Sequence, residues 1–237
     1  MACSPAQTQQ DETISAGAQP IDINLTSDDA ETETPTLPER ILIELHIIHT
    51  DEIIETLSVP SIYIDPRIPG YVESVMDGHL STYRFYLVAL LKDGMLLDAD
   101  AAEGEHVQLI SRLTIFVARE QLELMQFIYS TDRPESGRYT ATDEYRFGAR
   151  YYRPPGNYEY AKREYVGDHP DVGFVRIVCS PDLRPGGVRS FETGLCSAMF
   201  EVHDVLWMKV PFPPSEFDKW QDIVSAANDL VSSFRSE

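Results

Sequence analysis

The sequence predicts an α+β fold of mainly antiparallel β-sheet, with a C-terminal helix packed on it. Three observations support this. Apolar β-branched runs recur along most of the chain and are divided by Gly, Pro and Asp turns. One pair of strands near the C-terminus, Val172–Cys179 and Cys196–Val202, is followed by a third at Val205–Phe212. After Pro211, Pro213 and Pro214 the period changes: Phe217, Trp220, Ile223, Val224, Ala227, Leu230, Val231 and Phe234 repeat at three and four. Such a stripe needs a surface to lie on, and the preceding strands are the nearest one. Ser215, with Asp218 three residues on, stands where a helix N-cap belongs.

The other elements follow in order. Ile41–Ile48 reads as a strand, Thr50-Asp51-Glu52 as a turn, and Ile53–Pro60 as the returning strand of a hairpin. Ser61–Ile64 reads as a short extended piece before Asp65-Pro66 and Pro69-Gly70. Thr82–Leu91 is apolar enough for a central strand, and Asp93-Gly94 turns it. Val107–Val117 alternates as a strand, whereas Glu120–Tyr129 has a helical composition at its start. Pro134–Gly137 breaks the chain. Arg138–Arg153 is aromatic and extended, Pro154-Pro155-Gly156 turns it, and Tyr158, Tyr160 and Tyr165 continue on a polar background. The expected organisation is a tether over 1–38, a β-rich lobe over 39–134, and an α+β lobe over 135–237.

The 237 residues suit one large or two small domains. Acidic residues number 39 against 19 basic, a formal charge of −20. That field repels phosphate backbones and anionic lipid headgroups, so nucleic acid and direct membrane binding are not expected, and a basic partner is favoured. Acidity also serves simple solubility. No apolar run approaches the roughly 20 residues of a membrane span.

Residues 1–40 contain no aromatic residue and are rich in Ser, Thr, Gln, Asp, Glu and Pro, a composition that cannot bury a core. Cys3 heads this tether, as in a lipoprotein whose signal has been removed, with Met1-Ala2 as a remnant; the alternative is an incidental cysteine. If Cys3 carries lipid, Cys179 and Cys196 remain as a pair around a turn-rich loop, Ser180–Gly194. A bridge there requires an oxidising compartment such as the periplasm; two reduced, buried thiols are the alternative.

Catalytic and cofactor motifs are missing. The chain has no Gly-x-Ser-x-Gly elbow, phosphate-binding loop, dinucleotide fingerprint or His-Glu-x-x-His. His46 and His49, three apart on a strand, face opposite ways and make a poor metal pair. Asp98, Asp100, Glu103 and Glu105 lack the ligand order of a calcium loop and read as a solvated acidic segment. No cofactor or metal is expected. No pair of carboxylates stands out for hydrolysis, although a chain this acidic leaves an exported acid hydrolase as a distant alternative.

Several short motifs together resemble a known family. They are the Cys-headed tether, Val59-Pro-Ser-Ile-Tyr63, Phe147-Gly-Ala-Arg-Tyr-Tyr-Arg153, Arg176-Ile-Val-Cys179, Gly194-Leu-Cys-Ser-Ala-Met-Phe200, Val205–Val210, and Trp220-Gln-Asp-Ile223 through Phe234. The pattern resembles the periplasmic immunity lipoproteins of type VI secretion systems, especially those paired with phospholipase effectors. It is clearest over 145–237. The resemblance implies a non-enzymatic, membrane-tethered periplasmic protein that docks onto a secreted toxin and occludes its active site. Interface cores are enriched in Tyr and Arg, so candidate contacts are Tyr151, Tyr152, Tyr158 and Tyr160, with Asp182 and Arg184 in the cysteine-bounded loop. An envelope lipoprotein binding a small ligand or another envelope protein is the alternative.

Overall fold

The computed structural model describes residues 38–47, 52–64, 77–97, 110–117, 139–154, 162–183, 189–202 and 206–235. Twelve strands are seen there: β1 (Arg40–His46), β2 (Ile53–Pro60), β3 (His79–Thr82), β4 (Arg84–Lys92), β5 (Met95–Leu97), β6 (Ile110–Val117), β7 (Thr140–Arg146), β8 (Ala149–Arg153), β9 (Arg163–His169), β10 (Gly173–Leu183), β11 (Arg189–Val202) and β12 (Leu206–Phe212). They form a three-stranded sheet, β2-β1-β3, and a nine-stranded sheet, β5-β4-β6-β12-β11-β10-β9-β8-β7. Pairing is antiparallel except between β1 and β3. The chain closes with a 3-10 segment, Pro214–Lys219, running into α1 (Trp220–Ser232). The mainly antiparallel α+β fold with its helix on the sheet is therefore present.

Alternation along the large sheet sends one set of side chains to a shared core. Phe85 and Leu87 of β4, Ile115 of β6, Met208 and Val210 of β12, Ala198 and Phe200 of β11, and Val175 and Ile177 of β10 are buried there. The helix stripe meets them: Phe217, Trp220, Ile223, Val224, Ala227, Val231 and Phe234 are buried, and Leu230 is half-buried against them. Ile41, Ile43 and Leu45 of β1 and Leu57 and Val59 of β2 enter the same core from the small sheet. That sheet is tied to the end of the helix, where the Ser58 amide donates to the Phe234 carbonyl at 2.7 Å and Tyr63 packs on the Phe234 ring.

The start of the helix ties both edges of the large sheet. At the β5 edge, the Asp93-Gly94 turn has φ of 52° and 79°. Asp93 holds the Lys219 ammonium at 3.1 Å, and a Cβ on Gly94 would stand 3.1 Å from that of Asp222. At the β7 edge, the turn between β7 and β8 gives its Phe147 carbonyl to the Trp220 indole N–H at 2.8 Å. Consecutive residues thus hold the hairpins of opposite edges.

Several expectations change. Ser61–Tyr63 is a 3-10 turn, not extended, because Pro60 ends β2 and the Ile64 amide reaches back to the Ser61 carbonyl. Ser215 is not an N-cap: three prolines favour a 3-10 entry with Pro214 at its first position, and no side chain caps either helical segment. Within the stretch expected to be extended, β7 and β8 are divided by a turn at Phe147-Gly148. The expected central strand lies second from an edge, beside the short β5. The two expected lobes share one sheet, since β6 from before Pro134 pairs with β12 from after it, and contacts group Pro35–Glu237 as one unit. Residues 1–37 with Cys3, the acidic segment 98–105, and Glu120–Tyr129 lie outside the described residues.

Candidate partner-binding site

Cys179 and Cys196 are directly opposed in the β10–β11 register and joined by a disulfide, with Cα atoms 3.9 Å apart. Both sulfurs belong to the buried core. The bridge does not sit at the mouth of a loop, because both strands run on past it and pairing resumes at Asp182↔Ser190 and Leu183↔Arg189. Five residues of β11 are passed against two of β10 between those registers. Gly194 makes this possible: a Cβ there would stand 2.0 Å from the Ser180 carbonyl oxygen.

On the opposite face of the sheet, Glu164 of β9 is fully buried. Its Oε1 accepts from the Tyr139 hydroxyl at 2.5 Å and meets the Lys162 ammonium at 2.5 Å. Its Oε2 accepts from Arg176 Nε at 3.0 Å and Nη2 at 2.8 Å. Burial pushes the Tyr139 phenol up, and the neighbouring carboxylate adds to that. Burial pulls the Lys162 ammonium down, but its bonds to Glu164 and Tyr139 outweigh this and its pKa is raised. Beside the network, Trp207 is buried among Phe116, Tyr139, Tyr152, Val166, Phe174 and Met199. With both oxygens of its carboxylate engaged and aromatics around it, this network is built as a structural joint.

A serine, a histidine and an aspartate also converge. His169 Nε2 lies 3.1 Å from Ser225 Oγ, and its Nδ1 lies 3.9 Å from Asp171 Oδ2. The hydrogen bonds oppose catalysis. Nδ1 accepts from the Asp171 amide at 3.2 Å, which leaves Nε2 as the ring donor, facing the Gln221 carbonyl and Ser225 Oγ, both at 3.1 Å. An imidazole with no lone pair facing the serine cannot serve as its general base. The group pins β9 to α1.

The expected contact residues are scattered. Tyr151 faces the core, half-buried against Tyr165 with ring centroids 5.5 Å apart. Tyr152 points the other way and packs beside Trp207. Asp182 is exposed near the end of β10. Tyr158, Tyr160 and Arg184 lie outside the described residues, as does His49. Among the described residues no three His, Cys, Asp or Glu side chains gather to hold a metal, and no helix is long and apolar enough to cross a membrane.

A different cluster stands out at the β7–β8 turn. Tyr145 and Phe147 are 61% and 58% exposed, the largest values for aromatic residues among those described. Arg146 lies between rings, 4.5 Å from the centroid of buried Phe217 and 6.0 Å from that of Phe147. Arg150 donates to the Thr142 carbonyl at 2.6 Å and lies 5.8 Å from the Tyr145 ring centroid. The sequence held a signal for this turn: Phe147-Gly148 repeats the X-Gly form of Asp93-Gly94. It was hidden inside an aromatic run, and Phe is not a residue that announces a turn.

The architecture has a solved counterpart. The chain is similar to Smlt3025, an immunity protein of the Stenotrophomonas maltophilia type IV secretion system, with a TM-score of 0.52 and 16% identity over 84% of this chain and 94% of that one. The two share a fold. The iron-regulated outer membrane lipoprotein FrpD of Neisseria meningitidis matches with a TM-score of 0.47 and 8% identity over 84% and 93% of the chains. No family model matches the sequence, and no curated protein matches it.

Proposed function

We propose that this chain is an immunity protein that binds a secreted antibacterial toxin in the periplasm and blocks it, without catalysis of its own. The observation that carries this is the fold shared with the immunity protein Smlt3025 across most of both chains. The sequence motifs around Phe147, Cys179, Cys196 and Trp220 support the same role. Their resemblance favours a phospholipase effector of a type VI system as the partner, whereas Smlt3025 is an immunity protein of a type IV system. The disulfide suits an oxidising periplasm. A lipid on Cys3 would hold the protein at the membrane a phospholipase attacks. The net charge of −20 repels anionic lipid and nucleic acid and steers a basic toxin surface toward the protein. Exposed Asp182 remains a candidate contact.

The test is to co-express the chain with the toxin encoded beside it. The two are expected to elute together, and lipid hydrolysis by the toxin is expected to stop at equimolar ratio. Separate elution with hydrolysis undiminished would rule the proposal out.

A further inference from the structure

The β7–β8 turn breaks a local rule. A two-residue antiparallel turn with positive φ at both positions favours Asn-Gly or Asp-Gly. Asp93-Gly94 obeys this at the other edge of the sheet, whereas Phe147 takes φ 48° ahead of Gly148 at 84°. A bulky side chain in the left-handed region is strained. Core burial does not compensate, since Phe147 is 58% exposed.

The surroundings hold this awkward residue in place. The Trp220 indole N–H fixes its carbonyl at 2.8 Å, and Phe217 lies under its ring with centroids 6.4 Å apart. Arg146 is held over the Phe217 ring, yet among the described residues its guanidinium has no hydrogen-bond or ion-pair partner. Among the described residues, these donors have only aromatic rings for neighbours. Asp143, whose carboxylate lies 3.8 Å from Arg150, and Glu144 are both exposed on the strand that leads into the turn.

On the immunity reading above, on which this rests, we infer that the Phe147 turn is the anchor that enters the toxin. Phe147 fills an apolar pocket, Arg146 donates to carboxylate or carbonyl oxygens at its mouth, and Asp143 and Glu144 meet basic groups around it. A rigid exposed aromatic beside a stacked arginine is the composition of an interface hot spot. Preorganisation by Trp220 lowers the ordering cost of binding. The acidic field of the whole chain acts against pairing with a second copy and favours a basic toxin.

The experiment measures the affinity of the cognate toxin for four proteins: wild type, Phe147→Asn, Arg146→Lys, and Ile53→Asn as a control on the small sheet. Asn suits φ > 0, so Phe147→Asn is expected to keep or raise the melting temperature while weakening binding by roughly 30-fold or more. Arg146→Lys keeps the charge, loses the planar fork, and is expected to weaken binding by about 10-fold. The control is expected to bind as wild type. If wild type binds and Phe147→Asn binds equally well, the anchor assignment is overturned and the immunity function stands. If wild type binds no toxin, both fall. Wild type eluting at twice its mass, and Phe147→Asn at single mass, would assign the turn to self-association and overturn the anchor.

Discussion

Trp220 and Gly167 are in such close contact that a Cβ on the glycine would stand 2.8 Å from both Cζ2 and Cη2 of the indole. The same indole holds the Phe147 carbonyl with its N–H, so one side chain packs on β9 and fixes the β7–β8 turn. Room for the indole comes from a missing side chain. Gly167→Ala is therefore expected to push Trp220 outward and cost about 1–3 kcal/mol, as overpacking in a filled core does. Urea unfolding measures the loss, and tryptophan fluorescence should report the displaced indole before unfolding begins. Unchanged stability and emission would mean the contact is loose.

The glycine was not legible in the sequence, and the reason is physical. Periodicity shows which face an element buries, so the Phe217–Phe234 stripe could be read directly. It does not show which strand the stripe meets. The pairing of β12 with β6 joins distant segments, so it could not be inferred from neighbouring residues, and the apparent break at Pro134 suggested two lobes. Likewise, Tyr and Arg content alone marked Tyr151 and Tyr152, but alternation along β8 sends one into the core and the other beside Trp207. Exposure is a property of the sheet and not of composition.

Glu164 is a buried carboxylate that Tyr139, Lys162 and Arg176 share. Removing it would take from Lys162 and Arg176 the carboxylate they share. Glu164→Ala is expected to cost roughly 3–5 kcal/mol, the range for breaking a buried pair from one side. The double variant Glu164→Leu with Arg176→Met should recover much of that loss, because Lys162 is a third exposed and can regain water. Chemical denaturation of the three proteins gives the comparison. A double variant no better than the single would show that the charges hold the sheet together.

The same network makes the fold sensitive to alkali. Tyr139 and Lys162 both hold their protons more tightly in the folded chain than in the unfolded one, from ordinary values of 10.0 and 10.5. Where the native state binds more protons, stability falls as pH rises. The stabilisation is thus complete below pH 10 and is lost as pH climbs through the raised values. Denaturant midpoints between pH 9 and pH 12 should decline, with a shallower slope in Lys162→Met. An equal slope in that variant would place the alkaline transition elsewhere.

The disulfide joins residues already opposed in the sheet, so its main effect is on the unfolded chain. Cys179 and Cys196 are 17 residues apart, which gives about 3 kcal/mol of stabilisation in the chain-entropy model. Replacing both with alanine is expected to lower stability by about that much while leaving the β10–β11 register intact. Both residues are almost fully buried, so reductant should act only when the hairpin opens. Thiol release in dithiothreitol is expected to be slow in buffer and to accelerate steeply as urea approaches the unfolding midpoint. Rapid release without denaturant would show that this hairpin opens independently of the core.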